Sequence, residues 1–262
     1  MKKYTGIYEA TKKDGTRYFR SSITYRHKHI SLGSYATMEE ANAAYLEAGE
    51  ILQNPLALPD NYSPKVLSFG KCVTLMNFRD HNLYIKNPIY IKNKFFFYYY
   101  DQDTVYTFDI DDLFYYAGHK IMKRGRHLFV ADYGMQVNIL NRYGIRNFAV
   151  ENRDYYFANG DSHDFRYSNV ICINPYMGVT RIKKGGTICY LAKIHIKGDY
   201  KIGVYPTAAE AAIAYNKAVD IIKAQGIRKN YTYNYIDGLS PSDYATIYED
   251  CKISSKLYHL IS

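Results

Sequence analysis

Positively charged side chains recur inside short runs of strand-forming residues in two distant parts of this chain. Arg17, Arg20, Arg26 and Lys28 form one group, and Arg181, Lys183, Lys184, Lys193, Lys197 and Lys201 form the other. Guanidinium and ammonium groups carried on a sheet can enter the major groove of duplex DNA, pair with guanine edges and hold phosphates. A formal net charge of +9 over 262 residues agrees with a polyanionic partner. A merely solvated sheet face would account for scattered lysines, but poorly for the same segregation arising twice.

The elements that must position these residues are themselves repeated. Tyr4, Gly6 and Ile7 align with Tyr176, Gly178 and Val179. Gly33, Tyr35, Thr37, Glu40, Ala41, Ala44, Tyr45 and Ala48 align with Gly203, Tyr205, Thr207, Glu210, Ala211, Ala214, Tyr215 and Ala218. Each copy reads as three short strands and one helix. In the first, Ile7 lies on strand one, which ends near a turn at Asp14-Gly15; strand two covers 18–24 and strand three about 29–32. Thr37 and Thr207 are expected helix N-caps, with Glu40 and Glu210 at the capping-box position. Alanines at helical spacing let the helix lie close on one sheet face, leaving the other face and its charge to solvent.

Both copies resemble the DNA-binding domain of the plant Apetala and ethylene-response-factor type, found also in phage and bacterial homing endonucleases. The resemblance is carried by Gly6-Ile7, Phe19 to Ile23, Leu32-Gly33-Ser34-Tyr35 and Thr37 to Tyr45. In the second copy it is carried by Gly178-Val179, Tyr190 to Ile194, Ile202 to Tyr205 and Thr207 to Tyr215. It implies major-groove reading by the sheet, with base or backbone contacts at Arg20, Ser22, Arg26 and Lys28, and at Arg181, Lys183, Lys193 and Lys201. Arg17 joins the first set by its place on the strands. Phe19 and Tyr190 stand where that family often has Trp, and Leu191 replaces a basic residue.

Between the copies, residues 53–66 hold three prolines and read as a linker, drawn at 57–66. The following stretch to about residue 140, including FFFYYY at 95–100, reads as an antiparallel sheet whose aromatics are core. Lys120, Lys123, Arg124 and Arg126 are either a charged turn or a phosphate contact. The segment DYYFANGDSHDFRYSNV, 154–170, resembles the end of the HNH homing-endonuclease motif, and Leu140-Asn141-Arg142 resembles its upstream His-Arg pair. That resemblance implies a divalent metal and a general-base histidine, yet the matching positions are occupied otherwise. Tyr156 replaces the metal-binding Asp, Phe157 the base, Asn141 the upstream His and Phe165 the orienting Asn; Asn169 is retained. Asp154, Asp161 and His163 are left as off-spacing substitutes. Arg142, Arg146, Arg153 and Arg166 are candidates for residual phosphate contact.

Other chemistry finds little support. Cys72, Cys172, Cys189 and Cys251 are widely spaced and read as four buried free thiols of a reducing compartment, not as a zinc site or a disulfide framework. His27 and His29 read as exposed strand residues. No apolar stretch of membrane-spanning length is present. Ser240-Pro241 is expected to start a helix through Tyr244 and Ile247 that covers the second copy or the middle sheet.

The expectation is therefore an α+β protein with two three-stranded sheet-plus-helix modules flanking a β-rich domain that ends in a degenerate ββα unit. Its divisions are 1–56, a linker at 57–66, 67–174, 175–236 and a helical tail at 237–262. The expected function is sequence-selective binding of double-stranded DNA without catalysis, for transcriptional control or protection of a site. Two alternatives stay open: an HNH-type endonuclease with a rearranged site, needing Mg2+, and an interaction protein with basic faces. No cofactor and no membrane partner are expected. The expected setting is intracellular, cytoplasm or nucleoid, with the nucleus left open and a phage, virus or bacterium as source.

Overall fold

The computed structural model describes residues 4–147 and 149–260. The fold is mixed α+β, with small antiparallel sheets interspersed with helices. Its contacts divide it into two units, residues 4–137 with 161–169, and residues 138–160 with 170–260. The stretch 67–174, expected as one domain, is thus shared between them.

In the first unit, β1 (Ile7–Thr11), β2 (Arg17–Tyr25) and β3 (Lys28–Tyr35) form an antiparallel sheet in sequence order. The β2–β3 turn at Arg26 and His27 has φ of 44° and 62°, the mirror-image geometry that matches strand twist. Strand three therefore runs longer than the 29–32 expected. Register slips by one residue between Ser21 and Ser22, so Leu32 is the extra residue of a bulge. Helix α1 (Met38–Gln53) starts at Thr37, whose hydroxyl accepts from Glu40 N while the Glu40 carboxylate accepts from Thr37 N. Ala41, Ala44 and Ala48 are fully buried, so the helix backbone lies close to Ile30 and Leu32 on the sheet.

The proline-bearing stretch expected as a linker is folded against α1. Buried Glu47 accepts from the backbone N–H of Lys65, Val66 and Leu67 at 2.7, 2.7 and 2.8 Å and from the Tyr62 hydroxyl at 3.0 Å. Burial alone would raise its carboxyl, but these four donors outweigh burial and hold its pKa below the usual value. Arg79 donates to the carbonyls of Ile51 and Ala57, both at 2.8 Å, and to that of Asn54. It thereby satisfies the carbonyls at the end of α1. Arg79 lies on α2 (Phe69–His81), where a sheet was expected. Every residue of this helix from Cys72 to Arg79 is buried, so no amphipathic stripe marks it in the sequence.

The rest of the unit comprises β4 (Ile89–Ile91), β5 (Phe95–Tyr99), β6 (Val105–Asp109), α3 (Leu113–Gly118), β7 (Met122–Arg124), β8 (His127–Asp132) and β9 (Met135–Asn138). β4–β6 and β7–β9 form separate three-stranded sheets. Strand β5 is covered on both faces, which explains its unbroken aromatic run. Phe96 and Tyr98 meet Tyr116, and Phe96 also stacks on Phe108, while Phe97 and Tyr99 join the α1–α2 core.

In the second unit, β10 (Tyr155–Phe157) pairs with β11 (Val170–Cys172), then β12 (Val179–Lys184), β13 (Thr187–His195) and β14 (Asp199–Tyr205) repeat the three-stranded sheet. The chain passes from β11 into β12 without a helix, so the strands of the expected ββα unit are present and its helix is not. Register slips between Ala192 and Lys193, and Ile202 is the bulge residue, the counterpart of Leu32. Helix α4 (Ala208–Ala224) is capped by Thr207, whose hydroxyl accepts from Glu210 N at 3.1 Å. Helix α5 (Pro241–Asp250) starts at Ser240 as expected. Tyr244, Ile247 and Tyr248 pack on the core made by α4 and the sheet, so the tail covers the second module.

One aligned pair of glycines shows why both copies share their first turn. Gly6 and Gly178 have φ of +75° and +72°, and a Cβ at either would overlap the ring of Tyr45 or Tyr215 and the carbonyl of Ser22 or Lys193. Those aligned tyrosines lie over the aligned glycines, and Ser22 N and Lys193 N donate to the glycine carbonyls at 2.9 and 2.7 Å.

Candidate nucleic-acid interface

Strand register decides which side chains share the sheet face opposite the helix, because residues directly paired point the same way. In the first sheet, Ile23 pairs with Ile30 on the helix side. Alternation then puts Tyr8, Arg20 and Ser34 in one outward row, with Tyr18 and Ala10 on one side and Ser22 with Ser31, then Thr24 with His29, on the other. Tyr8, Arg20, Ser34, Thr24, His29 and Ser31 are exposed. Arg20 donates to the Tyr18 hydroxyl at 2.7 Å, and its guanidinium lies 5.5 Å from that ring's centroid. This contact holds an exposed cation over the sheet surface. Among the described residues of this outward face there is no carboxylate.

The other expected contacts of the first copy lie elsewhere. Arg17 is on the helix-side row, 3.3 Å from Glu9 in an exposed ion pair. Arg26 sits in the hairpin turn, donating at 3.4 Å to Phe78 O and Asn82 Oδ1, and Lys28 lies 5.3 Å from the Tyr84 ring centroid. Ser22 is on the outward face but buried. Sequence reasoning missed Tyr8 and Ser34, which share Arg20's row; the two-residue alternation from Arg20 across paired strands was the available signal.

In the second sheet, Val179, Ala192 and Ile194 face the helix. The outward row that matches Tyr8–Arg20–Ser34 is Thr180–Leu191–Val204. Ile182 and Cys189 flank it on one side, and Lys193 paired with Lys201 flanks it on the other. Both lysines are exposed. His195 and Asp199 follow, 2.9 Å apart, and the hydrogen bond from His195 lowers the Asp199 pKa. Arg181 and Lys183 are exposed but belong to the helix-side rows, paired with Tyr190 and Ile188. Of the nine expected DNA contacts, register thus gathers Arg20 and Ser22 on one outward face and Lys193 and Lys201 on the other.

The positions that resemble the HNH motif fill core or tie down loops. Phe165 packs on Phe108 and Tyr106, at ring-centroid distances of 5.4 and 5.8 Å. Phe157 is buried beside Tyr155, 5.9 Å between centroids, whereas Tyr156 is exposed. Asn169 donates to Asp164 O at 2.7 Å, and Asn141 lies on the surface of a short helical turn, Ile139–Tyr143. The rings of Phe157 and Phe165 offer no lone pair to a divalent ion and Tyr156 is exposed, so these positions do not supply the ligand set that the motif would need. Asp154 is buried and accepts from Val150 N at 2.8 Å and from Arg153 at 2.7 Å. His163 stacks on Tyr106, and Asp161 is its neighbour at 3.6 Å. Among the described residues, no three His, Cys, Asp or Glu side chains form a metal-holding group.

The arginines named for phosphate contact are largely engaged. Arg166 makes a two-pronged pair with Asp164 at 2.9 and 2.6 Å, which raises its pKa. Arg146 donates to Val179 O at 3.2 Å, and Arg153 pairs with Asp154. Arg142 has interactions of its own. Lys120, Lys123, Arg124 and Arg126 lie exposed around the β7–β8 hairpin, with Arg124 5.7 Å from the Phe129 ring centroid. The four cysteines are free thiols, but only Cys72 is buried as expected; Cys172, Cys189 and Cys251 are half-buried. No helix, among the described residues, is long and apolar enough to cross a membrane.

No family model, curated protein or solved structure matches the chain.

Proposed function

We propose that this protein binds double-stranded DNA through the outward faces of its two three-stranded sheets, without cleaving it. One observation carries the reading: the same scaffold twice presents a sheet face away from its helix, with exposed cations and, among the described residues, no carboxylate free of a partner. On the first face Arg20 stands among Tyr8, Tyr18 and Ser34; on the second Lys193 and Lys201 stand together, and the one acid, Asp199, is held by His195. A twisted sheet of this width fits a major groove, where such side chains meet base edges and phosphates. The resemblance of both copies to Apetala-type domains points the same way.

The test is a gel-shift selection against a randomised duplex library with magnesium present, the recovered DNA being run on a denaturing gel. Enrichment of a motif with intact strands is the expected result. Nicked or cut strands would make the protein a nuclease, and binding without steep salt dependence would remove phosphate contact from the account.

A further inference from the structure

We propose that the two sheets divide the work on one duplex: the first reads base edges, and the second anchors the phosphate backbone. This rests on the DNA-binding reading above. The first line of support is the aligned outward row. Tyr8, Arg20 and Ser34 carry hydroxyl and guanidinium groups that recognise donor and acceptor patterns, whereas in the matching row only Thr180 keeps a hydroxyl and Leu191 and Val204 carry no polar side-chain group. Ile182 extends that apolar strip, which is left outside the second module's core.

The second line is the position next to this row. There the first sheet pairs Ser22 with Ser31, and the second pairs Lys193 with Lys201. Two like charges directly opposite each other on neighbouring strands repel, so the pairing is unfavourable in the isolated protein. A phosphate oxygen placed between them turns that repulsion into a two-cation clamp. The third line is charge. Residues 175–236 hold ten Lys and Arg against three Asp and Glu, whereas residues 1–56 hold eight against six. The module whose central outward row is mostly apolar is the one with the large positive excess.

The experiment compares three full-length proteins, wild type, Arg20→Ala and Lys193→Ala/Lys201→Ala. Affinity is measured by fluorescence anisotropy on a selected duplex and a scrambled one across a salt series. All three substituted positions are exposed, and circular dichroism with thermal melting confirms that each variant is folded. Arg20→Ala is expected to reduce the selected-to-scrambled affinity ratio by roughly tenfold or more while leaving most of the salt dependence in place. The double lysine variant is expected to weaken both duplexes equally and to flatten the log–log salt slope by about 2. Loss of the ratio in the lysine variant, or equal weakening of both duplexes in Arg20→Ala, overturns the division while DNA binding stands. Wild-type protein that binds no duplex overturns the DNA-binding reading and the division together.

Discussion

The two sheet-plus-helix modules keep the same interior and differ on almost every surface that faces outward. Both have a left-handed glycine under an α-helical tyrosine, a threonine cap, three buried alanines and a bulge at the same place in strand three. One helical position shows how far the remainder has diverged. Glu47 of α1 aligns with Lys217 of α4, and each fastens the segment that follows its helix. Glu47 accepts from three backbone N–H groups, whereas Lys217 donates to the carbonyls of Glu249 and Cys251 at 3.0 and 3.1 Å. The charge inverted because the backbone groups presented to it inverted. The interior is constrained by packing; the clamp needs only to match the polarity of its partner, and the outward face is free to follow a ligand.

The sharpest way to break this comparison is to attack the shared interior. Gly6→Ala and Gly178→Ala each combine an unfavourable positive φ with overlap against a tyrosine ring and a carbonyl. Each is expected to cost about 2–4 kcal/mol, read as a fall in the denaturant midpoint of the mutated module. If one glycine tolerates alanine and the other does not, the two interiors are not equivalent. The clamps come next. Glu47→Gln replaces a carboxylate held by four donors with an amide that cannot accept on both sides, and should cost roughly 2–3 kcal/mol. Lys217→Gln loses two more accessible bonds and should cost about 1 kcal/mol.

The same clamp makes a pH prediction. The folded-state pKa of Glu47 is lowered, because its backbone and tyrosine donors favour the ionised form over the burial that opposes them. Its contribution to stability is present above the pKa of the unfolded chain and is lost as pH falls through the lower folded-state value. Urea midpoints of wild type should therefore fall from about pH 5 downwards, and Glu47→Gln should show a shallower fall over that window. Parallel curves for the two proteins would remove Glu47 from the acid sensitivity.

Much of the module architecture was legible because repetition supplied a second reading of each position. Caps, alanine faces and the Asp14-Gly15 turn follow from local chemistry. Helix α2 was not legible, since a helix surrounded on all sides shows no period, and Thr74, Asn77 and Arg79 are polar residues serving buried backbone groups. The proline-bearing segment read as a linker because nothing local announces that Glu47, some twenty residues earlier, satisfies its amides. For the interface, residue type marked the cations and strand register sorted them. Lys28 is one residue from His29 of the outward face, yet alternation sends it to the other side.

The smallest expected effects lie at the hairpin tips, and they sharpen the comparison most. Arg26 holds the β2–β3 tip against the C-terminal end of α2 through two hydrogen bonds of 3.4 Å, and it lies 5.1 Å from the Tyr25 ring centroid. The matching β13–β14 tip is held from outside, by Lys229 and Tyr231 donating to His195 O at 3.0 and 3.3 Å. These contacts are long or solvent-exposed, so Arg26→Ala and Lys229→Ala should each cost less than about 1 kcal/mol. Their signature should be local: faster amide exchange at each tip with the helix cores unchanged. For Arg26→Ala, DNA affinity should then fall only as far as the loosened sheet permits, and equally for selected and scrambled duplexes. Under the proposed DNA binding, a large loss of affinity with the tip still protected would return Arg26 to direct contact with DNA, and would mean that the first sheet meets a duplex by the hairpin end instead of the row through Arg20.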